Sequence, residues 1–353
     1  MTQQIVPDRS GDTAGKVNLK ALSSDDLFRF VDDLGLPRYR ANQLLHWMYE
    51  RYACRFFEIS EFSRDLQKTL DTIAHIDSIM LLKRLKSEDG TEKFLFSLND
   101  GLSIESVLIR DKDRLTLCVS SQAGCAMGCR FCLTGTLGLA RNLASHEILE
   151  QILSVNRLLS PERITNIVFM GMGEPLSNFD EVVESLWKIV KLVGISRRKI
   201  TLSTSGLVPK MAALPMKAPE INLAVSLNAA TDETRDKIMP VNRRYPLGAL
   251  LEACRNYPLK PRRRITFEYV LISGINDSTA DARKLAHILE GLMCKVNLIP
   301  LNPFQGSDLR RPSDLDVLEF QKVLVRHNLT ALIRDSKGRD ILAACGQLRA
   351  EHP

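Results

Sequence analysis

A chain of 353 residues, 44% hydrophobic and 25% charged, has the make-up of a globular protein with room for one large domain and a smaller companion. No apolar run approaches the roughly 20 residues that span a bilayer, and the polar start MTQQIVPDRSGDTAGK is no secretory signal, so no membrane association and a cytoplasmic location are expected. The net charge of +6 is compatible with nucleic acid without demanding it; the cations gather at Arg197–Lys199, at Arg243 and Arg244, at Lys260 with Arg262, Arg263 and Arg264, and at Arg310 and Arg311.

Residues 1–16 read as a disordered arm. Ser23, Ser24, Asp25 and Asp26 then give an N-cap signal, followed by Leu27, Phe30, Val31 and Leu34 at helical spacing, until Gly35 and Pro37 stop the helix. Ala41, Leu44, Leu45 and Met48 mark a second helix, and Leu66, Leu70 and Ile73 a third, so residues 17–78 form a small helical domain. From residue 79 the period falls to two. Phe94, Phe96 and Leu98 alternate, Asn99, Asp100 and Gly101 supply a turn, and Leu102, Ile104 and Val107 follow, giving a short antiparallel β extension over 79–114.

From 115 to 347 strands and helices alternate. Strands are predicted at 115–120, 164–170, 199–204, 221–227, 265–272 and 295–301, with amphipathic helices at 145–159, 179–193, 278–292 and 313–327. A last strand at 329–335 precedes the C-terminal stretch, with a tail at 348–353. This alternation predicts an α/β fold built on a parallel sheet, closed or partly closed as a (β/α)6 barrel. Chemistry in such barrels gathers in the loops after the strand C-termini.

Eight cysteines in a chain expected to meet a reducing cytosol are candidates for metal ligands or reactive thiols rather than structural disulfides. Cys54, Cys254 and Cys294 lie in helical or apolar settings and read as small core residues. Cys125, Cys129 and Cys132 follow the first barrel strand, with Gly124, Gly128 and Gly135 among them. Three thiolates in eight residues can wrap a cuboidal iron–sulfur cluster and leave one iron open. A structural zinc site would want a fourth ligand and a second cysteine pair, and none is present.

Gly171, Met172, Gly173, Glu174 and Pro175 end the second strand, where glycine allows close approach to a ligand and the carboxylate can take a cationic group. Alone this is also compatible with a surface turn. Ser205 ends the third strand, Ser226, Leu227 and Asn228 the fourth, and Asn302 the sixth. Cys118 and Cys345 read, from spacing alone, as buried small residues. Cys345, between small residues and Gly346, also suits an accessible thiol in a loop. Glu105 reads from spacing as an exposed strand residue.

The C-x3-C-x2-C loop resembles the signature of the radical S-adenosylmethionine (SAM) superfamily. The runs LCVSSQAGC at 117–125, GMGEP at 171–175, IMPVN at 238–242 and ACGQL at 344–348 together resemble the RlmN/Cfr family of RNA methyltransferases over about residues 20–350. The resemblance implies a radical-SAM barrel and one 4Fe-4S cluster on Cys125, Cys129 and Cys132. It implies SAM, two molecules per turnover, held by Gly173, Glu174, Ser205, Ser226, Leu227, Asn228 and Asn302. It further implies that Cys345 carries a methyl group, that Cys118 resolves a protein–RNA link by forming a disulfide with Cys345, and that Glu105 accepts a proton. The activity implied is RlmN-like methylation of adenosine C2 in 23S rRNA and tRNA, with Cfr-like C8 methylation, or radical SAM chemistry on another substrate, as alternatives. A small reducing protein such as a flavodoxin or ferredoxin and a monomeric state are expected. The helical domain and the basic loops, Arg262, Arg263 and Arg264 among them, are the expected RNA grip. Where many members of the family carry histidine after Ser-Leu, this chain has Asn228.

Overall fold

The computed structural model describes residues 3–4, 15–76 and 79–350. Most of the expected arm at 1–16 lies outside those residues, although Gln3–Gln4 pairs antiparallel with Lys83 and Arg84. Helices α1 (Ser24–Asp33), α2 (Tyr39–Tyr49) and α3 (Arg64–Ile73) occupy the predicted places. The Ser23 side chain caps α1 by accepting from Asp26 N at 3.1 Å, and Ser63 does the same for α3. Leu27, Val31, Ala41, Leu44, Met48 and Leu70 form their buried faces.

Strands β1 (Ile79–Lys86), β2 (Glu92–Leu98) and β3 (Ser103–Asp111) make the antiparallel extension. It does not stand apart from the barrel: β3 pairs with β4 (Arg114–Cys118), the first strand of the parallel part, so one sheet runs through both. The parallel part continues through β5 (Asn166–Phe169), β6 (Ile200–Thr204), β7 (Asn222–Ser226), β8 (Ile265–Leu271), β9 (Cys294–Pro300) and β10 (Ala331–Ile333). Spatial order equals chain order, and β10 is not paired back to β4, so the barrel is partial. Each of β4 to β9 is followed by one or more return helices, which is why the polar loops after these strands share one edge.

Helices α4 (Ser145–Leu159), α5 (Phe179–Lys188, extended by a π turn over Ile189–Val193), α9 (Thr279–Ile288) and α10 (Asp314–Arg326) match the four read from the sequence. The sequence reading named no helix at α6 (Val208–Lys217), α7 (Asp232–Ile238) or α8 (Leu247–Arg255). α6 contains Pro215, and α7 is short and mostly charged, which conceals a 3.6-residue period.

The helical module is fastened to α4 by a buried ion pair, Lys20 Nζ to Glu150 Oε2 at 2.5 Å, and Lys188 Nζ donates to Lys20 O at 3.0 Å. Cys254 and Cys294 are buried as expected, but Cys54 is only partly so. Its Sγ lies 3.2 Å from Glu58 Oε1, a polar contact rather than a core position.

Candidate active site

Past β4 the chain forms a hairpin, Gln122–Cys125 against Gly138–Asn142, whose loop carries Cys129 and Cys132. Arg130 N donates to Ile238 O at 3.0 Å, which ties this loop to the end of α7. Cys125 and Cys129 are buried and Cys132 is partly exposed. Burial pushes the Cys125 thiol up to about 11 and raises Cys129 and Cys132 as well; Cys129 is raised further by the other two sulfurs. As bare thiols the three therefore stay protonated at neutral pH, and a bound cationic centre is what would favour their thiolates. Among the described residues no three His, Cys, Asp or Glu side chains converge on one point as a single-ion site requires. A cuboidal cluster asks for no such convergence, because each thiolate binds a different iron. Three cysteine donors in one loop fit a cluster with an open iron better than a closed four-ligand zinc site.

The walls beside this loop are the strand ends. Gly173 has φ +102°, and a Cβ there would stand 2.6 Å from Gln122 Cβ, so glycine is what lets the second strand's loop lie against the hairpin. Glu174 is buried; its carboxylate accepts from Ser205 N at 2.7 Å and Leu176 N at 3.0 Å, while its own N–H donates to Gln122 Oε1. Burial nevertheless raises its pKa, outweighing those donors. The surface-turn reading of this segment is thereby overturned. Ser226 ends β7, and Leu227 is fully buried with its N–H on Glu268 O at 3.0 Å. Asn228 adopts φ +58°; its Oδ1 accepts from Val270 N at 2.8 Å and its Nδ2 points at Met239 Sδ, 3.1 Å away. Asn302 Nδ2 donates to Cys345 O at 3.3 Å, and its buried Oδ1 has no hydrogen-bond partner among the described residues.

Cys345 lies in a turn of the C-terminal segment, which crosses this same edge. Leu133 N donates to Gly346 O at 2.7 Å, Thr134 Oγ1 to Leu348 O at 2.6 Å, and Gln347 Nε2 to Pro303 O at 3.0 Å. On the other side Ser87 Oγ donates to Asp340 Oδ1, Gly338 N to Asp89 Oδ2, and Arg349 N to Glu105 Oε2. Cys345 keeps an exposed surface within this ring of protein. The surrounding protein first, and the Glu268 carboxylate second, push its thiol up to about 11. Cys118, the last residue of β4, is buried; burial raises its pKa, and proximity to Cys345 adds to the rise. Glu105 is also buried rather than an exposed strand residue: Lys93 Nζ sits 2.9 Å from its Oε1.

The structure thus gathers Cys118, Glu105, Cys345, the three loop cysteines, Glu174 and the strand-end polar residues at one edge of the sheet. Several supporting groups escaped the sequence reading. Gln151 of α4 accepts from Ser106 Oγ and Ser120 N and donates to Ser120 O, holding the run between Cys118 and the hairpin. Glu268 is a carboxylate inside an otherwise apolar strand, a signal that was available. Arg235 looks in sequence like any surface arginine of a charged helix, yet it is fully buried. The basic clusters divide by topology. Arg243, Arg244, Arg310 and Arg311 follow strand C-termini, on the edge of the cysteine loop. Arg197–Lys199 and Lys260 to Arg264 immediately precede β6 and β8 and therefore lie at the opposite edge. Arg263 bonds Asn222 Oδ1 and Lys260 pairs with Glu220 at 2.7 Å, so the expected place of Arg262, Arg263 and Arg264 in an RNA grip at this site is not supported.

The fold and this site define a radical SAM enzyme, and the family model described as Radical SAM superfamily matches residues 119–286. That for the ribosomal RNA large subunit methyltransferase N-terminal domain matches residues 17–76. The chain is 48% identical over 337 residues to the dual-specificity RNA methyltransferase RlmN of Geobacter sulfurreducens, covering 95% of this chain and 92% of that one. It is 50% identical to the protein of that name in Syntrophobacter fumaroxidans, covering 95% and 99%. Among solved structures it superposes on a radical SAM methyltransferase from Sphaerobacter thermophilus with a TM-score of 0.92 at 42% identity, covering 95% and 100%. The chain belongs to the RlmN family and is a SAM-dependent methyltransferase.

Proposed function

We propose that this enzyme methylates C2 of adenosine in 23S rRNA and in tRNA just 3′ of the anticodon, by way of a methyl group carried on Cys345. The observation that carries this reading is the tail that sets an accessible thiol, Cys345, beside both the cysteine loop and the buried Cys118. Adenine C2 is electron-poor and no nucleophile, so polar attack on a sulfonium methyl group fails. A 4Fe-4S cluster held by Cys125, Cys129 and Cys132, with two SAM molecules per turnover, would supply the methyl group and the radical chemistry that this carbon requires.

The chain's own residues then have distinct tasks. Glu174, next to Gly173, offers a buried carboxylate to the SAM amino group, and Ser205, Ser226, Leu227, Asn228 and Asn302 line the remainder of that pocket. Asn302 Oδ1, without a partner among the described residues, is the kind of buried acceptor that a ligand completes. Cys345 takes the methyl group; once that group has given up one hydrogen atom its carbon bonds to C2, and the adduct sheds the C2 proton and one electron, which the cluster would take back. The Cys118 thiolate then attacks the Cys345 sulfur, breaking the S–C bond and forming a disulfide, and the released carbon takes up a proton to become the product methyl group. Glu105, paired with Lys93 Nζ at 2.9 Å, accepts the proton lost from C2.

Residues 17–78 serve as an accessory RNA-binding domain, 79–114 as the β extension and 115–347 as the barrel with its cysteine tail. The target base leaves its stack to reach the site. A monomer in the cytoplasm, served by a flavodoxin or ferredoxin, completes the proposal; among the described residues no helix is long and apolar enough to cross a membrane.

Anaerobic reconstitution, then reaction with SAM, reductant and a 23S rRNA fragment, tests it by nucleoside mass spectrometry. 2-Methyladenosine is expected; 8-methyladenosine would move the activity to C8, and SAM cleavage without methyladenosine would remove the substrate assignment. Cys345→Ala should cleave SAM but methylate nothing, whereas Cys118→Ala should accumulate protein joined to RNA.

A further inference from the structure

Arg235 is the largest fully buried side chain among the described residues. Its Nε donates to Leu227 O at 3.0 Å, one terminal nitrogen to Asn242 Oδ1 at 3.0 Å, and the other to Ser205 O at 2.7 Å and Ser226 O at 3.1 Å. These four acceptors lie at the ends of β6 and β7 and in the segment after α7, so the guanidinium pins the proposed SAM rim together. All four are neutral. Among the described residues no carboxylate stands within ion-pair distance; Asp232 and Asp236 are reached through Asn242, whose Nδ2 donates to both. A buried cation without a counter-ion is costly, and burial duly pushes its pKa down to about 10, although it stays protonated at neutral pH.

Asp232 and Asp236 offset part of this cost, and Cys129 of the cysteine loop is the other candidate for a compensating charge. Cys129 packs in one apolar cluster with Ile238 and Met239. Met239 N donates to Arg235 O at 2.7 Å, and Ile238 O accepts from Arg130 N of that loop. A 4Fe-4S core of charge 2+ on three thiolates carries a net charge of −1, and −2 after it accepts one electron. We propose that Arg235 is a positioning residue that also serves as the buried counter-charge of the cluster, favouring its reduced form. The inference rests on the assignment of Cys125, Cys129 and Cys132 as cluster ligands. A fixed positive charge in a site of low dielectric stabilises the state with the extra electron more than the state without it.

The test compares wild type, Arg235→Lys and Arg235→Met after anaerobic reconstitution. Iron and sulfide are assayed, and the cluster is titrated with dithionite under EPR. The Met variant should load a cluster that is at least tenfold harder to reduce, a fall of about 59 mV for a one-electron couple, and Lys should recover most of the loss. A second readout is the gain in Tm on cluster loading: it should shrink in Met relative to wild type, because apo-protein loses an uncompensated charge and holo-protein a compensated one. A purely bracing role would lower apo and holo Tm alike. If Met does not fold, Arg235→Gln, which keeps hydrogen bonding but drops the charge, gives the same comparison. A loaded neutral variant with wild-type potential and wild-type Tm gain would overturn the proposal. Failure of wild type itself to bind iron and sulfide would instead overturn the ligand assignment beneath it.

Discussion

Glu268 shows what one residue can add to a site. It sits in β8, where burial raises its carboxyl from 4.5 to about 7, against the Asn297 amide at 2.9 Å and the charges of Arg334 and Lys295. A folded pKa above the unfolded one means that the folded state binds more protons. The associated stability is fully present below about pH 4.5 and is lost as pH rises through about 7. Glu268→Gln keeps the acceptor for Asn297 and removes the titration. Its stability relative to wild type should therefore grow by up to about 3 kcal/mol across that window, read by urea denaturation of the apo-protein at both ends. A difference that does not change with pH would mean that Arg334 and Lys295 already neutralise the group.

At this scale the sequence was legible where spacing encodes chemistry. The three loop cysteines and Gly173 with Glu174 announce themselves by residue type and by place after a strand. The importance of Glu105 came only through resemblance, because nothing local says that Lys93 and the tail cover it. Arg235 was illegible for a deeper reason: three of its four acceptors are main-chain carbonyls at the ends of β6 and β7, and main-chain atoms leave no trace in residue type.

Among the elements, the C-terminal segment depends most on a single backbone shape. Gly346 has φ +83°, and a Cβ there would come within 3.0 Å of Phe131 O, beside Cys132. An L-residue in that region costs about 1–2 kcal/mol before any contact is counted. Gly346→Ala should therefore loosen the strap at Leu133 and move Cys345 off the cysteine loop. Reductive cleavage of SAM should survive close to wild-type rate, while methyladenosine formation falls at least tenfold; equal loss of both would mean that the strap also shapes the cluster loop. The helices show why legibility varied between elements. α4 and α10 are long and amphipathic and are visible as a period, whereas α6 holds a proline and α7 is short, so their helicity is set by packing against the barrel. The tail has no period at all; its conformation is written in contacts with residues more than two hundred positions away, such as Glu105 and Thr134.

The whole molecule is a sheet with two unlike edges, and its charge follows that division. Exposed Arg243, Arg244 and Arg310 lie on the edge that holds Cys345, whereas Arg197–Lys199 and Lys260 to Arg264 lie on the far one, partly neutralised by Glu220. On the proposed function, a single RNA stem-loop that delivers one base to Cys345 would contact the first edge and not the second. If those three arginines meet phosphate, replacing them with Gln should lower the slope of log K against log salt by up to about 2, since each contact to single-stranded nucleic acid contributes about 0.7. Replacing Arg262, Arg263 and Arg264 should leave both affinity and slope unchanged. Filter binding across a salt series decides the matter. The opposite pattern would require RNA to pass around the barrel to its far edge, a path for which the substrate would have to be much larger than the segment that enters the site.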